Sequence, residues 1–306
     1  MKAVITGATG AVGIALIKEL LSRGAQVTVL CREGSRRNSN IPQNDNVTKV
    51  NCSLDKLGEL SLEGKYDMLF HLAWDGTTGA ARNDFYLQNK NVEYTLDAVR
   101  LAKRLGCSAF VGAGSQAEYG RVDEKLCPDT PTFPENGYGI AKLCAGQMSR
   151  ELCRELGIKH IWARILSVYG EYDGENSLVM STISKLLKGE RPSLTAGEQT
   201  WDYMYSADAA KALVELAVGG TDGGVYCLGS GQPRPLKEYV ELIRDAVNPD
   251  AELGFGEIPY ARSQVMYLCA DIKELELDTG FVPRVSFEDG IKKTVAWYIE
   301  KESVEK

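Results

Sequence analysis

Apolar positions in the early part of the chain alternate between short runs and segments of helical period. Lys2 to Thr6 is an apolar run that meets Gly7-Ala8-Thr9-Gly10-Ala11-Val12-Gly13, and a helical pattern follows through Arg23. Gln26 to Cys31 is rich in β-branched residues and reads as a second buried strand, which completes a βαβ unit. Further strands are predicted at Val47 to Asn51, Asp67 to His71, Ser108 to Ala113 and Lys159 to Leu166, with helices over Asn83 to Leu105 and Asn136 to Leu156. Parallel strands joined by helical crossovers predict an α/β fold, a doubly wound parallel sheet covered on both faces. Beyond Leu166 the pattern becomes mixed helices, turns and short strands such as Gly224 to Leu228. The expected division is a larger domain over 1–166, which also receives the 205–228 region, and a smaller α/β domain mainly over 167–306.

Composition narrows the function. The 306 residues, 44% hydrophobic and 25% charged, suffice for a sizeable core. A net charge of -7 argues against nucleic acid or an anionic membrane as partner, because both require a positive surface field. A small-molecule partner is expected. No apolar run is long enough to span a bilayer, and the N-terminus opens on a strand pattern with no charged leader region. The eight cysteines form no C-x-x-C pair and read as reduced thiols, so a cytoplasmic location is expected. His71 and His160 are far apart and lack metal-ligand spacing, and no metal site is expected.

The glycine-rich turn supplies the first chemistry. Gly7 permits a tight turn after the strand, Gly10 lets backbone N–H groups approach a pyrophosphate, and Gly13 lets helix and strand pack closely. Thr9, Ala11 and Val12 complete this cradle, a dinucleotide signal because it lies between a buried strand and an amphipathic helix. In TGATGAVG the chain resembles the extended branch of the short-chain dehydrogenase/reductase superfamily, the NAD-dependent epimerase/dehydratase group that modifies nucleotide-linked sugars. The likeness continues in order through His71-Leu72-Ala73, Asn91-Val92, Ser115 to Gly120, Tyr138-Gly139-Ile140-Ala141-Lys142, Arg164 to Gly170 and Asp202 to Asp208. It implies a Rossmann sheet, a dinucleotide held also by Leu72, Ala73 and Asn91, and a catalytic group of Ser115, Tyr138 and Lys142.

Tyr138 and Lys142 stand four positions apart, one helical turn on the same face. A nearby ammonium favours the phenolate, so the tyrosine pKa is expected to fall toward working pH. The resemblance implies that Lys142 also holds the nicotinamide ribose hydroxyls and that Ser115 hydrogen-bonds the oxygen that alternates between alcohol and carbonyl. Together these groups stabilise developing oxyanion charge.

Cofactor choice turns on the end of the second strand. NAD enzymes place an acid there, whereas this chain reads Cys31-Arg32-Glu33-Gly34-Ser35-Arg36-Arg37. Guanidinium groups at Arg32 and Arg36 suit a 2′-phosphate, and NADP is the expected cofactor. NAD is the alternative, with Glu33 serving as the acid if the strand ends later.

Gln116 and Ala117 stand where the resemblance places an acidic pair in 4,6-dehydratases, and no histidine follows His160 as in the GDP-fucose branch. Reduction of a 4-keto-sugar nucleotide by NADPH is therefore expected, with 4-epimerisation using bound NAD as the alternative. A non-enzymatic dinucleotide sensor or scaffold is the reading from another class. Substrate contacts are expected from Glu118, Ser167, Trp201 and Arg262, although Ser167 and Trp201 depart from the usual Asn and Arg. Glu118 reads equally as a salt bridge. The resemblance also implies a homodimer through the two long helices.

Overall fold

The computed structural model describes residues 1–304. In chain order its elements begin β1 (Lys2–Thr6), α1 (Ala11–Ser22), β2 (Gln26–Cys31), β3 (Val47–Asn51), β4 (Met68–His71), α2 (Phe85–Arg104), β5 (Ala109–Ser115), α3 (Gly137–Leu156) and β6 (Lys159–Ile165). They continue with β7 (Ser167–Tyr169), α4 (Leu178–Leu187), β8 (Thr200–Trp201), β9 (Tyr203–Tyr205), α5 (Ser206–Gly219) and β10 (Gly224–Leu228). The last are β11 (Arg234–Pro235), α6 (Leu236–Val247), α7 (Lys273–Thr279) and α8 (Phe287–Val304).

Seven strands form one parallel sheet in the order β10-β6-β5-β4-β1-β2-β3. The order reverses between β1 and β4, so the crevice beyond their carboxyl ends opens where the glycine turn leaves Thr6. Thr6 pairs in register with His71, and their side chains are hydrogen-bonded at 2.9 Å. All seven residues of β5 are buried, as expected for a central strand covered on both faces.

The sequence places Ser108 to Ala113 in β5, but the ladder runs two residues further, pairing Gly114 with Arg164 and Ser115 with Ile165. Gly114 weakens the strand signal because its side-chain space is taken: a Cβ there would lie 2.5 Å from Trp162 Nε1. The predicted helix from Asn83 begins instead at Phe85, because Asp84 caps it by accepting from Leu87 N at 3.1 Å. Asn83 lies in a preceding 3₁₀ turn, where its Oδ1 accepts from Gly137 N at 3.0 Å and links the starts of α2 and α3. Asn136 caps α3 through Gly139 N, and Gly157 ends it with φ +66°.

The smaller part packs α4, α6 and α8 around Tyr169, Tyr239 and Phe287, with ring centroids 4.6 Å apart in two of these pairs. Two short sheets, β7 with β9 and β8 with β11, position it against the larger sheet. Residues 206–228 return to that sheet: α5 packs on α1 and β10 pairs with β6. Among the described residues no helix is long and apolar enough to cross a membrane.

Candidate active site

At the crevice, Gly7 has φ +72°, and a Cβ on it would lie 2.5 Å from Ala73 N. A Cβ on Gly13 would lie 2.5 Å from Ala8 Cα, so helix and turn pack without side chains between them. Above Gly10, the N-cap of α1, there is open space: an added Cβ would meet only Arg37 Nη2 at 3.7 Å. The first-turn N–H groups of α1 thus face a free cradle, which fits the pyrophosphate of a dinucleotide. Thr9 lines one side of the cradle, and Ala11 and Val12 line the other.

From the glycine turn one arm of the cleft runs to the end of β2, where Arg32, Ser35, Arg37 and Asn38 line it. Glu33 and Arg36 do not line it. Arg36, expected in this arm, is exposed outside it, and Arg37 lines it. A 3₁₀ turn over Arg36–Asn40 aims Arg36 outward and brings Arg37 back to the cradle, where its Nη2 donates to Tyr172 O at 3.2 Å. The turn carries no periodic apolar signal that would distinguish the two neighbours. Arg32 remains largely exposed, 4.0 Å from Asp75.

The other arm, a cleft of about 410 Å³, is lined by Ser115, Tyr138 and Lys142 together with Trp74, Arg82 and Gln116. Ser115 ends β5, while Tyr138 and Lys142 lie in the first turns of α3. Lys142 is buried, donates to Ala113 O at 2.6 Å and lies 3.8 Å from the centroid of the Trp74 ring. Burial brings its pKa down to about 7, opposed by the charge of Glu118.

Tyr138 corrects one expectation. Its pKa is raised, because burial outweighs a hydrogen bond to Ser115 and the charge of Arg82, both of which lower it. The cation against its ring is Arg82, with Cζ 4.3 Å from the centroid, while Lys142 Nζ is 5.9 Å away. Arg82 and Trp74 were missed from the sequence. Only the closeness of the loop after β4 to the start of α3 reveals them.

The family described as NAD dependent epimerase/dehydratase matches residues 3–229. The chain belongs to this family. A dTDP-4-dehydro-6-deoxyglucose reductase of Escherichia coli is 26% identical over 95% of this chain and 96% of its own length. Among solved structures, a UDP-N-acetylglucosamine 4-epimerase from Methanobrevibacter ruminantium, in complex with UDP-N-acetylmuramic acid, superposes with TM-score 0.89 at 23% identity, covering 98% of each chain. A dTDP-glucose 4,6-dehydratase from Streptomyces venezuelae, with NAD bound, gives 0.87 at 22% identity over 99% of this chain and 98% of its own.

Within this epimerase/dehydratase frame several expected contacts fall elsewhere. Leu72 lines both arms of the cleft, and Ala73 lies against Gly7 with its N–H donating to Thr6 Oγ1 at 3.3 Å. Asn91 is buried outside the cleft. Its amide accepts from Asp75 N and donates to Asp75 O, both at 2.9 Å, and so fixes the loop that carries Trp74. It supports the cofactor cleft without lining it. Burial presses the His71 pKa down to about 3, leaving a neutral imidazole between Thr6 and Thr95.

Glu118 is fully buried in an ion pair with Arg164 at 2.7 Å, which corrects its reading as a substrate contact. Ser167 and Trp201 bond to each other, with Trp201 Nε1 donating to Ser167 Oγ at 2.9 Å, and neither lines the cleft of Ser115, Tyr138 and Lys142. Arg262 is exposed on a loop whose carbonyl accepts from Arg121 Nη1 at 3.0 Å, also away from that cleft. The partners that fix Glu118, Ser167 and Arg262 come from distant segments, which local pattern does not encode.

Proposed function

We propose that the chain performs hydride chemistry at the C4 carbinol of a nucleotide-linked sugar and that it acts as a 4-epimerase. The convergence of Ser115, Tyr138 and Lys142 in one cleft beside the glycine cradle carries this reading. The similarity to epimerases supports the epimerase form, and the absence of acids at Gln116 and Ala117 disfavours dehydration. The cradle of Gly7, Gly10 and Gly13 would hold the dinucleotide, and reversible hydride transfer is the chemistry it would supply. Tyr138 moves a proton between its Oη and the sugar oxygen, while Ser115 hydrogen-bonds that oxygen and stabilises its developing charge. Lys142 supplies a donor at the floor of the cleft, where it donates to Ala113 O at 2.6 Å.

Net reduction of a 4-keto-sugar nucleotide by NADPH is a second reading, favoured by one observation. The adenosine arm carries Arg32 and Arg37, and β2 ends without an acid in that arm; Asp75 is the acid that lines it. Two guanidinium groups there suit a 2′-phosphate. The exposed Phe85, Tyr86, Ile140 and Met148 on α2 and α3 support a homodimer through these helices.

Incubation of the purified protein with UDP-sugars, without added cofactor and followed by NMR, tests the first reading. Formation of the C4 epimer supports it. Stoichiometric NADPH oxidation against a 4-keto-sugar nucleotide, with no epimer formed, moves the assignment to reduction.

A further inference from the structure

Glu118 lies three residues after Ser115, the spacing at which a carboxylate reaches back to the N–H that opens a helical turn. That closure is made here: Glu118 Oε1 accepts from Ser115 N at 2.7 Å, and Ser115 Oγ accepts from Ala117 N at 3.2 Å. The same carboxylate accepts from Trp162 Nε1 at 3.0 Å and from Arg164 Nε at 2.7 Å, both on β6. Room for the indole is cut out of the neighbouring elements, since a Cβ on Gly112, Gly114 or Gly146 would lie 2.4 to 2.6 Å from Trp162. A carboxylate with no exposure is retained only when its oxygens are satisfied, and this one is met by a guanidinium, an indole and the catalytic serine's own amide.

We propose that Glu118 is a positioning residue for the reaction at Ser115 and Tyr138, clamping the Ser115 backbone to β6 and acting as the buried negative charge behind the Tyr138 and Lys142 pair. The inference rests on the reading of Ser115 and Tyr138 given above. Tyr138 is faced by Arg82 from the 3₁₀ turn, by Ser115 from β5 and by Glu118; Asp173 shares the cleft wall. Lys142 is faced by Glu118 and by the neutral His71. Glu118 raises the pKa of both, so its neutralisation lowers both.

The test is tyrosinate absorbance of the whole protein against pH, with Tyr138 isolated by subtracting a Tyr138→Phe partner in each background. In Glu118→Gln the Tyr138 midpoint is expected to fall, because the charge that raises it is gone. In Glu118→Asp, which keeps the charge but shortens the reach, the midpoint stays and turnover falls at unchanged KM for the dinucleotide. A Glu118→Gln midpoint equal to that of wild type overturns the proposal. If Glu118→Gln does not fold, Trp162→Phe removes one donor without stranding a charge. It should then speed amide exchange at Ser115 on the order of 5-fold, and unchanged exchange overturns the proposal. A midpoint that moves while Tyr138→Phe keeps full turnover would sink the reading of the site and leave the hold of Glu118 on Tyr138 standing.

Discussion

Replacing Gly114 with alanine adds one methyl group at a crowded point near the end of β5. The new Cβ would lie 2.5 Å from Trp162 Nε1 and 2.6 Å from Glu118 Oε1. Neither neighbour can shift without loosening a contact, because Trp162 is 2% exposed, Glu118 is 0% exposed and both are hydrogen-bonded. Overpacking of this kind costs about 1–3 kcal/mol, and weakening a bond from the indole or the serine amide to a buried carboxylate costs about 1.5–3 kcal/mol. These losses overlap, so the expected total is roughly 2–5 kcal/mol, a fall in Tm of roughly 5–10 °C for a chain of this size. Urea unfolding of Gly114→Ala is read beside Gly174→Ala, where an added Cβ meets nothing within 4 Å. The control should stay within about 0.5 kcal/mol of wild type. If Gly114→Ala matched the control, the packing of Trp162 and Glu118 described here would be wrong.

Burial lowers the Lys142 pKa to about 7, so between that value and its ordinary 10.5 the unfolded chain binds more protons than the folded one. Stability therefore carries a component that rises with pH across this window, and urea titrations from pH 6 to 10 should show that component lost in Lys142→Met. Arg82 lowers the Tyr138 pKa, and Arg82→Met should move the Tyr138 titration to higher pH; an unmoved midpoint refutes the stacking contact as an electrostatic one. Alanine at both Arg32 and Arg37 should weaken NADPH binding about 10- to 100-fold relative to NADH by calorimetry, and equal losses for both cofactors would rule out a phosphate clamp.

Local signals wrote the large sheet and the cradle into the sequence. Gly7, Gly10 and Gly13 lie between a buried run and an amphipathic helix, and the Tyr138 and Lys142 spacing survives any small error in where α3 begins. What sequence missed depends on contacts between distant segments. Arg82 reaches Tyr138 because Asn83 ties its turn to α3, and Arg37 lines the cleft where Arg36 does not because the 3₁₀ turn that carries both sends the Arg37 Nη2 to Tyr172 O. Glu118 illustrates the same limit from the other side: its spacing from Ser115 is legible, but its partners Trp162 and Arg164 come from β6. The pairing of Trp201 with Ser167 likewise joins β8 to β7 across a long connection, which no local pattern encodes.

In the proposed reaction the Tyr138 hydroxyl carries the proton exchanged with the sugar oxygen. Single-turnover hydride transfer in Tyr138→Phe, with the dinucleotide bound and monitored at the reduced-nicotinamide absorbance, tests it directly. The expected rate is lower by about 10²–10⁴-fold, with dinucleotide affinity close to wild type. Hydride transfer at the wild-type rate in this variant would contradict it.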